Sequence, residues 1–256
     1  MPSDPDTWLV PISRSAGPPR LTLVCLAYAG GNPDNFKAWA DGMPSGVELV
    51  AVRLPGHGRR IGEQRYRDWD RLVSDTFAAL SPLLSRDHAL FGHSFGGRLA
   101  YELTHRATVE YPGRTKRLFV AGCRSPDFPQ TRPYMHDLTD DGFRHAVGAM
   151  GGTPAEILSD RLLMRVLLPV VRDEIRLAEL WGDRHGRPVA VPITAIHGRD
   201  DPIDPAASMA GWPAFGGPGS EVVETAGGHF FLDTHVAPLL EIINARLEVS
   251  DARAAR

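Results

Sequence analysis

Short apolar runs alternate along this chain with amphipathic helical patterns. The runs are too short for typical helices, which is characteristic of buried parallel strands. They cover residues 21–28, 47–54, 88–91, 117–121, 191–197 and 221–225, and a further short strand is expected at 8–12. Helical spacing is found between them at 66–84, 95–110 and 237–248. This alternation predicts an α/β fold with a mostly parallel central sheet and helices on both faces.

One segment interrupts the alternation. Residues from about 126 to 190 contain no convincing strand and hold helical pieces punctuated by proline, at 140–150, 154–158 and 161–181. A long insertion of this kind inside an α/β domain usually has a functional role as a lid, although it can also be a plain surface decoration. We therefore expect a single domain over residues 1–256 that carries a helical lid insertion.

Composition excludes several classes of protein. A hydrophobic share of 43% is enough to fill a core, and a net charge of −3 does not suit a nucleic-acid binder. No apolar run approaches the roughly 18 residues of a membrane span, and the first residues do not resemble a signal peptide. Cys25 and Cys123 both lie in apolar runs, which favours core thiols in a reducing compartment. We expect a cytoplasmic protein with neither nucleic acid nor membrane as a partner.

The sharpest functional signal is a G-x-S-x-G pattern formed by Gly92, Ser94 and Gly96. It follows an apolar run and opens a helical pattern, which is the context of a nucleophile elbow. Glycines let the backbone pass closely there, and the serine oxygen is presented at the carboxyl edge of the sheet. Ser94 is the predicted nucleophile, although a glycine-rich turn with an idle serine would give the same pattern.

A serine nucleophile needs a base that is held by an acid, and on this scaffold the chain order is Ser, Asp or Glu, His. The run at 191–197 leads into Asp200 and Asp201, followed by proline. We predict Asp201 as the acid because it directly precedes Pro202, and Asp200 stays as the alternative. His229 follows two glycines after the last predicted strand, and it is the predicted base.

The oxyanion of a tetrahedral intermediate needs N–H donors that are already in place. One is expected from the residue after the nucleophile, which is Phe95. The other is expected from the glycine-containing loop after the first central strand, where Ala29 is the predicted donor. His57 lies in a turn near the same edge and is expected to be a structural or cleft-lining residue. No cluster of residues has metal-ligand spacing, so neither a metal nor another cofactor is expected.

Several motifs together resemble a known family, the type II thioesterases of polyketide and non-ribosomal peptide synthesis. The motifs are residues 28–31 (YAGG), 54–60 (LPGHGRR), 92–97 (GHSFGG), 227–231 (GGHFF) and, in the insertion, 151–154 (GGTP) and 168–173 (LPVVRD). The resemblance extends over about residues 20–245. Ala27, Phe95 and Gly97 depart from residues that many members carry, and these departures affect the shape of the acyl pocket rather than any catalytic group.

The resemblance implies an editing hydrolase. Such an enzyme removes aberrant or stalled acyl groups from the phosphopantetheine arm of acyl or peptidyl carrier proteins, through an acyl-enzyme on Ser94. It also implies that the triad is Ser94, Asp201 and His229 and that Ala29 and Phe95 form the oxyanion hole. Exposed arginines, at Arg59, Arg60 or Arg98, are expected to meet the acidic carrier. The expected roof of the acyl chamber consists of Phe143, Met150, Leu158, Leu162, Leu163, Met164, Leu167 and Leu168.

Two other functions fit the same residues. One is a carboxylesterase or lipase-like hydrolase of small esters, which would use the same triad. The other is a non-catalytic binding protein built on the α/β-hydrolase fold. The presence of all three triad residue types argues against the binding protein. Rates on acyl-carrier thioesters, compared with rates on p-nitrophenyl esters, distinguish the small-ester hydrolase from the editing thioesterase.

Overall fold

The computed structural model of the protein describes residues 5–15 and 17–254, with side-chain burial described for 7–15 and 17–247. The strands are β1 (Leu9–Ser13), β2 (Leu21–Leu26), β3 (Val47–Val52), β4 (His88–His93), β5 (Thr115–Ala121), β6 (Ile193–Gly198) and β7 (Glu221–Thr225). The α-helices are α1 (Pro5–Trp8), α2 (Trp69–Leu84), α3 (Phe95–Glu110), α4 (Asp140–Met150), α5 (Ala155–Ser159), α6 (Arg161–Glu179), α7 (Ala206–Met209), α8 (Phe231–Thr234) and α9 (Val236–Ala254). Over the described ranges, none of the helices combines the length and the apolar character that a bilayer span requires.

Within residues 5–15 and 17–254, seven strands form one sheet in the order β1-β3-β2-β4-β5-β6-β7. Only β1 runs antiparallel to its neighbour, and the six other strands are parallel. Strands β2, β4 and β6 are buried along their whole length, as expected for parallel strands covered on both faces. The predicted mostly parallel α/β sheet is confirmed.

Two apolar cores cover the faces of the sheet. On one face, Leu80 of α2, Leu99 of α3 and the buried Trp212 belong to the same core. On the other face, Ile243 of α9 packs with Phe36, which lies in a 3₁₀ segment, Pro33–Gly42. Burial of these large side chains, at about 25 cal/mol per Å² of apolar surface, is the main force that holds the helices against the sheet.

The ends of several elements differ from the sequence prediction. Strand β2 ends at Leu26 because the chain then turns, with the Gly31 N–H donating to the Tyr28 carbonyl at 2.8 Å. Strand β4 extends to His93, since its last residues still pair with β5. Helix α2 begins at Trp69 because the Asp68 side chain caps it by accepting from the Arg71 N–H.

Residues 122–192, all of which the structure describes, contain the three helices α4, α5 and α6 and no strand. Helix α6 is capped by Asp160, whose carboxylate accepts the N–H groups of Leu162 and Leu163. Phe143 packs with Val147 and Ile175 into a small core of its own. The insertion is therefore a helical layer held together partly by its own apolar contacts.

Candidate active site

Ser94 lies in the tight turn between β4 and α3. Its φ of 54° and ψ of −115° make it the one non-glycine residue with positive φ among the residues that the structure describes. The Ser94 N–H donates to the Ala121 carbonyl of β5 at 2.8 Å, which fixes the turn to the sheet. A Cβ on Gly96 would overlap the carbonyl oxygens of Leu26 and Ala27, so only glycine fits there. Such strain in a supported turn is a feature of functional sites.

His229 and Asp201 meet on loops that follow the last two strands. The His229 Nδ1–H donates to Asp201 Oδ2 at 2.8 Å, and both side chains are almost wholly buried. Asp201 Oδ1 accepts the N–H groups of Ile203 and Asp204 at 2.7 and 3.0 Å. The carboxylate is thus fully engaged, while Asp200, the alternative acid, is exposed.

The environment keeps Asp201 ionised. Burial works to raise the pKa of Asp201, but the hydrogen bond and charge of His229 outweigh it. The backbone N–H donors to Oδ1 act in the same direction, so the pKa of this carboxyl lies below its ordinary value. An ionised Asp201 fixes the tautomer of His229 with its proton on Nδ1 and stabilises the imidazolium.

The other ring nitrogen of His229 is left available. Nε2 is buried and forms no hydrogen bond, to Ser94 or to any other residue in the described part of the chain. His229 and Ser94 nevertheless line the same cavity. With Nδ1 protonated, Nε2 is an acceptor, which is the state that a general base needs.

His93 packs against the ring of His229. Its ring packs edge-on against that of His229, with 5.3 Å between the ring centroids, and it also contacts Tyr28. Burial, together with the charge of the neighbouring His229, lowers the pKa of His93 to about 3. His93 is therefore neutral and acts through packing.

The two predicted oxyanion donors belong to segments next to Ser94 in the chain or in its cavity. Phe95 is the first residue of α3, where helical geometry leaves the N–H without an intrahelical partner. Ala29 follows β2 and lines the same cavity as Ser94. The N–H groups of the next two residues are already engaged, since Gly30 donates to Glu174 and Gly31 donates to Tyr28. Of the loop amides, the one of Ala29 is thus the better placed to serve a substrate.

A buried carboxylate that sequence reasoning missed braces this loop. Glu174 of α6 accepts the His57 Nε2–H at 2.6 Å and the Gly30 N–H at 2.7 Å. Burial works to lower the pKa of His57, but the charge and the hydrogen bond of Glu174 outweigh it and raise the pKa above its ordinary value. No local motif points to Glu174, because its partners lie more than a hundred residues away in the sequence.

A second network was also missed. The Tyr28 hydroxyl donates to Asp233 Oδ2 at 2.8 Å, and Asn35 Nδ2 donates both to that hydroxyl and to Asp233 Oδ1. Burial, followed by the effect of Asp233, raises the pKa of Tyr28 well above its ordinary value, so the phenol stays protonated. This network ties the loop of Ala29 to the segment that follows His229.

The cavity above Ser94 has a volume of about 660 Å³. Apolar side chains of the insertion form much of its wall, and those in contact with it are Val147, Met150, Ile157, Met164, Leu167, Val170, Val171 and Ile175. The predicted roof is right for Met150, Met164 and Leu167. It is wrong for Leu162 and Leu163, which are 75% and 38% exposed because they lie on the outer face of α6. It is also wrong for Phe143, Leu158 and Leu168, which belong to the small core inside the insertion rather than to the cavity wall.

The predicted arginines have different surroundings. Arg60 is buried, pairs with Glu63 at 2.6 Å and lies 4.1 Å from the ring centroid of Trp8, so it is a structural residue rather than a surface charge. Arg98 is also buried, and its nearest carboxylate oxygen, of Asp204, is 3.6 Å away. Arg59 is exposed as expected. Among the described residues, no group of three or more His, Cys, Asp or Glu side chains is arranged to hold a metal ion.

Known thioesterases are similar to this chain in sequence and in fold. A family model described as the thioesterase domain matches residues 21–247. The chain is similar to the AMB antimetabolite synthetase AmbE of Pseudomonas aeruginosa, with 35% identity over 229 residues, but it spans only 11% of that synthetase. It is 29% identical over 214 residues to the thioesterase PikA5 of Streptomyces venezuelae, and the match covers 83% of this chain and 76% of PikA5. The solved structure of BorB, a type II thioesterase from the borrelidin biosynthetic cluster, matches with a TM-score of 0.82 and 31% identity, over 94% of this chain and 98% of BorB.

Proposed function

The chain belongs to the thioesterase family. We propose that the enzyme removes aberrant or stalled acyl groups from the phosphopantetheine arm of acyl or peptidyl carrier proteins. Ser94 is the nucleophile, His229 the general base and Asp201 the acid that orients it. Ala29 and Phe95 donate the N–H groups of the oxyanion hole. No cofactor takes part in this scheme.

One observation carries the proposal. Ser94 has the left-handed backbone of a nucleophile elbow, and it shares a cavity with a histidine whose Nδ1–H is held by a buried carboxylate. A serine hydroxyl is a weak nucleophile by itself, and this pairing of base and acid is what activates it. The thioesterases to which the chain is similar give the substrate class.

Acylation begins when Ser94 Oγ attacks the thioester carbonyl and its proton passes to His229 Nε2. Negative charge develops on the carbonyl oxygen, where the two N–H donors stabilise it. The tetrahedral intermediate collapses with cleavage of the C–S bond, and the imidazolium returns its proton to the departing thiolate. The acyl group is now an ester of Ser94, and the carrier leaves with a free thiol.

Deacylation repeats the same steps with water. His229 Nε2 takes a proton from a water molecule as it attacks the ester carbonyl, and the imidazolium then protonates Ser94 Oγ as the C–O bond breaks. The free acid leaves and the enzyme is regenerated. Since a thiolate is a good leaving group, a loosely shaped and largely apolar chamber is sufficient, which suits the removal of diverse acyl groups.

The partner is an acyl or peptidyl carrier protein of a polyketide or non-ribosomal peptide synthase. Carrier and arm are acidic, and the exposed Arg59 and Arg132 are suited to meet them, the second from the cavity wall. Arg132→Glu should raise the KM for acyl-carrier substrates but not for acyl N-acetylcysteamine thioesters. Arg86→Glu is the matched control, because exposed Arg86 precedes β4 at the opposite edge of the sheet.

The compartment and the role of the insertion are part of the same proposal. Cys25 and Cys123 are buried free thiols, which suits the reducing cytoplasm. In this proposal residues 1–256 form one catalytic unit, in which residues of about 126–190 act as the lid over the acyl chamber. The helices α4, α5 and α6 would then set which acyl groups enter.

The test compares two substrate classes on wild-type enzyme and on Ser94→Ala. We expect acyl-carrier thioesters to be hydrolysed with a higher kcat/KM than p-nitrophenyl esters, and the variant to lose at least about a thousandfold on both. A preference for p-nitrophenyl esters would instead identify a small-ester hydrolase. If an organophosphate leaves no adduct on Ser94 by intact-mass measurement, the chain is a binding protein and the proposal fails.

A further inference from the structure

We propose that Glu174 of α6 is a positioning residue for the oxyanion hole, which it couples to the helical insertion through its hydrogen bonds to Gly30 and His57. The inference rests on the proposed function, because it assigns a role within the same catalytic site. Among the described residues, the hydrogen bonds of Glu174 go to Gly30 and His57 rather than to Ser94 or the predicted donors.

The contacts of Glu174 are short and buried. Each carboxylate oxygen accepts one hydrogen bond. Oε2 accepts the Gly30 N–H at 2.7 Å, and Oε1 accepts the His57 Nε2–H at 2.6 Å. The side chain of Glu174 is 9% exposed and that of His57 is 6% exposed. Hydrogen bonds to a charged acceptor in such a setting are roughly twice as strong as neutral ones.

One face of α6 holds two loops at once. Val171 lies against the Cα of Gly30, where an added Cβ would be 2.9 Å from Cγ2. Val170, one position earlier, faces Gly56 in the loop that carries His57. Together with Glu174, one turn further along, these residues clamp the loop of Ala29 and the loop of His57 against the same helix.

The clamp acts on the peptide next to the predicted donor. The Gly30 N–H belongs to the peptide plane that begins at Ala29, so fixing its direction fixes that plane. Gly30 has a φ of +84°. Glycine adopts positive and negative φ about equally well, so the residue's own conformational preference does not hold the peptide in this orientation. The adjoining plane, which carries the Ala29 N–H, is held through the Tyr28 carbonyl by the Gly31 N–H. The Glu174 acceptor therefore fixes the second plane that flanks Ala29 and keeps the turn rigid before the substrate arrives, since preorganised donors are the effective ones.

The charge of the clamp must also be balanced. A bare carboxylate near the oxyanion would oppose the developing negative charge, and an unpaired buried carboxylate is costly in itself. The His57 N–H on Oε1 reduces both effects, because it gives the second carboxylate oxygen a hydrogen-bond donor and disperses part of its charge. The resulting arrangement is a chain from His57 through Glu174 to Gly30.

The test uses three substitutions on one helix. Glu174→Gln keeps an acceptor for the Gly30 N–H, whereas Glu174→Met fills similar space without one. Asp173→Asn is the matched control, because Asp173 binds Arg65 and Arg67 at 2.8 and 3.0 Å and anchors the same helix without touching the loop of Ala29. Each variant is assayed with an acyl N-acetylcysteamine thioester and with a trifluoromethyl ketone analogue of it, which forms a tetrahedral adduct with serine.

We expect Glu174→Met to lower kcat by about ten- to a hundredfold, less than the loss of a whole donor, with KM changed by less than about threefold. Affinity for the trifluoromethyl ketone should fall by the same factor as kcat/KM. Glu174→Gln should recover most of both, and Asp173→Asn should stay within about threefold of wild type.

Two results would overturn the inference. One is an unchanged affinity of Glu174→Met for the trifluoromethyl ketone, and the other is an equal loss in Asp173→Asn, which would mean that anchoring of the helix is all that matters. If Glu174→Met does not fold by circular dichroism, Glu174→Asp replaces it, since the shorter carboxylate cannot reach both partners and should also lose kcat. A wild-type enzyme that is inactive on every thioester would refute the proposed function instead.

Discussion

The carboxylate of Asp201 lies 2.8 Å from Nδ1 of His229, whereas its neighbour Asp200 faces solvent. Adjacent carboxylates in one loop thus have opposite surroundings. Asp201 also accepts two backbone N–H groups, so the loop folds around it rather than around Asp200. This relationship allows a test of the acid with a control one residue away.

Asp201→Asn should lower kcat on an acyl thioester by about a thousandfold or more, because an amide favours the wrong tautomer of the histidine. Asp200→Asn should stay within about threefold of wild type, since its side chain is exposed. Steady-state rates on the same substrate, with circular dichroism to verify folding, provide the measurement. A larger loss in Asp200→Asn than in Asp201→Asn would reverse the assignment.

Gly96→Ala should destabilise the protein by about 3 kcal/mol, because the added methyl group meets backbone carbonyls of Leu26 and Ala27 that cannot move aside. Gly62→Ala is the control, since Gly62 has open space around its Cα and no positive φ, and it should stay within about 0.5 kcal/mol of wild type. Urea unfolding of both variants gives the two free energies. Equal urea midpoints for the two variants would show that the turn at Gly96 tolerates a methyl group.

The sequence predicted those parts of the fold and site that depend on local order. The strands around β4 follow from short apolar runs, and the elbow at Ser94 follows from glycines placed between a strand and a helix. The positions of Asp201 and His229 follow from the chain order that this scaffold requires. Each of these inferences uses residues that are adjacent in sequence or topology.

The remaining features depend on contacts between distant segments. Glu174 lies 144 residues from Gly30, and nothing in its own helix distinguishes it from an exposed glutamate. Arg60 is predicted as an exposed residue that meets the acidic carrier, but in the structure it is buried against Trp8 and paired with Glu63. Helical spacing identified α6, yet it could not tell which face of the helix lines the chamber, so Leu162 was assigned to the wrong side.

Met150→Trp should narrow the acyl chamber, because Met150 is the last residue of α4 and lines the cavity. We expect kcat/KM for an octanoyl thioester to fall by at least about tenfold while that for an acetyl thioester changes by less than about threefold. Leu162→Trp, on the outer face of α6, should alter neither. A parallel loss on both chain lengths would mean that Met150 lies outside the path of the acyl group.

His57 gives a prediction for stability against pH. Its pKa is raised in the folded protein because of Glu174, despite the opposing effect of burial. Such a group contributes stability that is fully present below the unfolded pKa, near 6.5, and is lost as the pH rises through the folded pKa. The difference in free energy of unfolding between wild type and His57→Gln should therefore narrow as the pH rises above about 6.5. Urea unfolding at intervals up to pH 9 measures it.

The same comparison in a Glu174→Gln background should give a difference that varies much less with pH, because the cause of the shift has been removed. If the two backgrounds show the same pH dependence, Glu174 does not govern the protonation of His57.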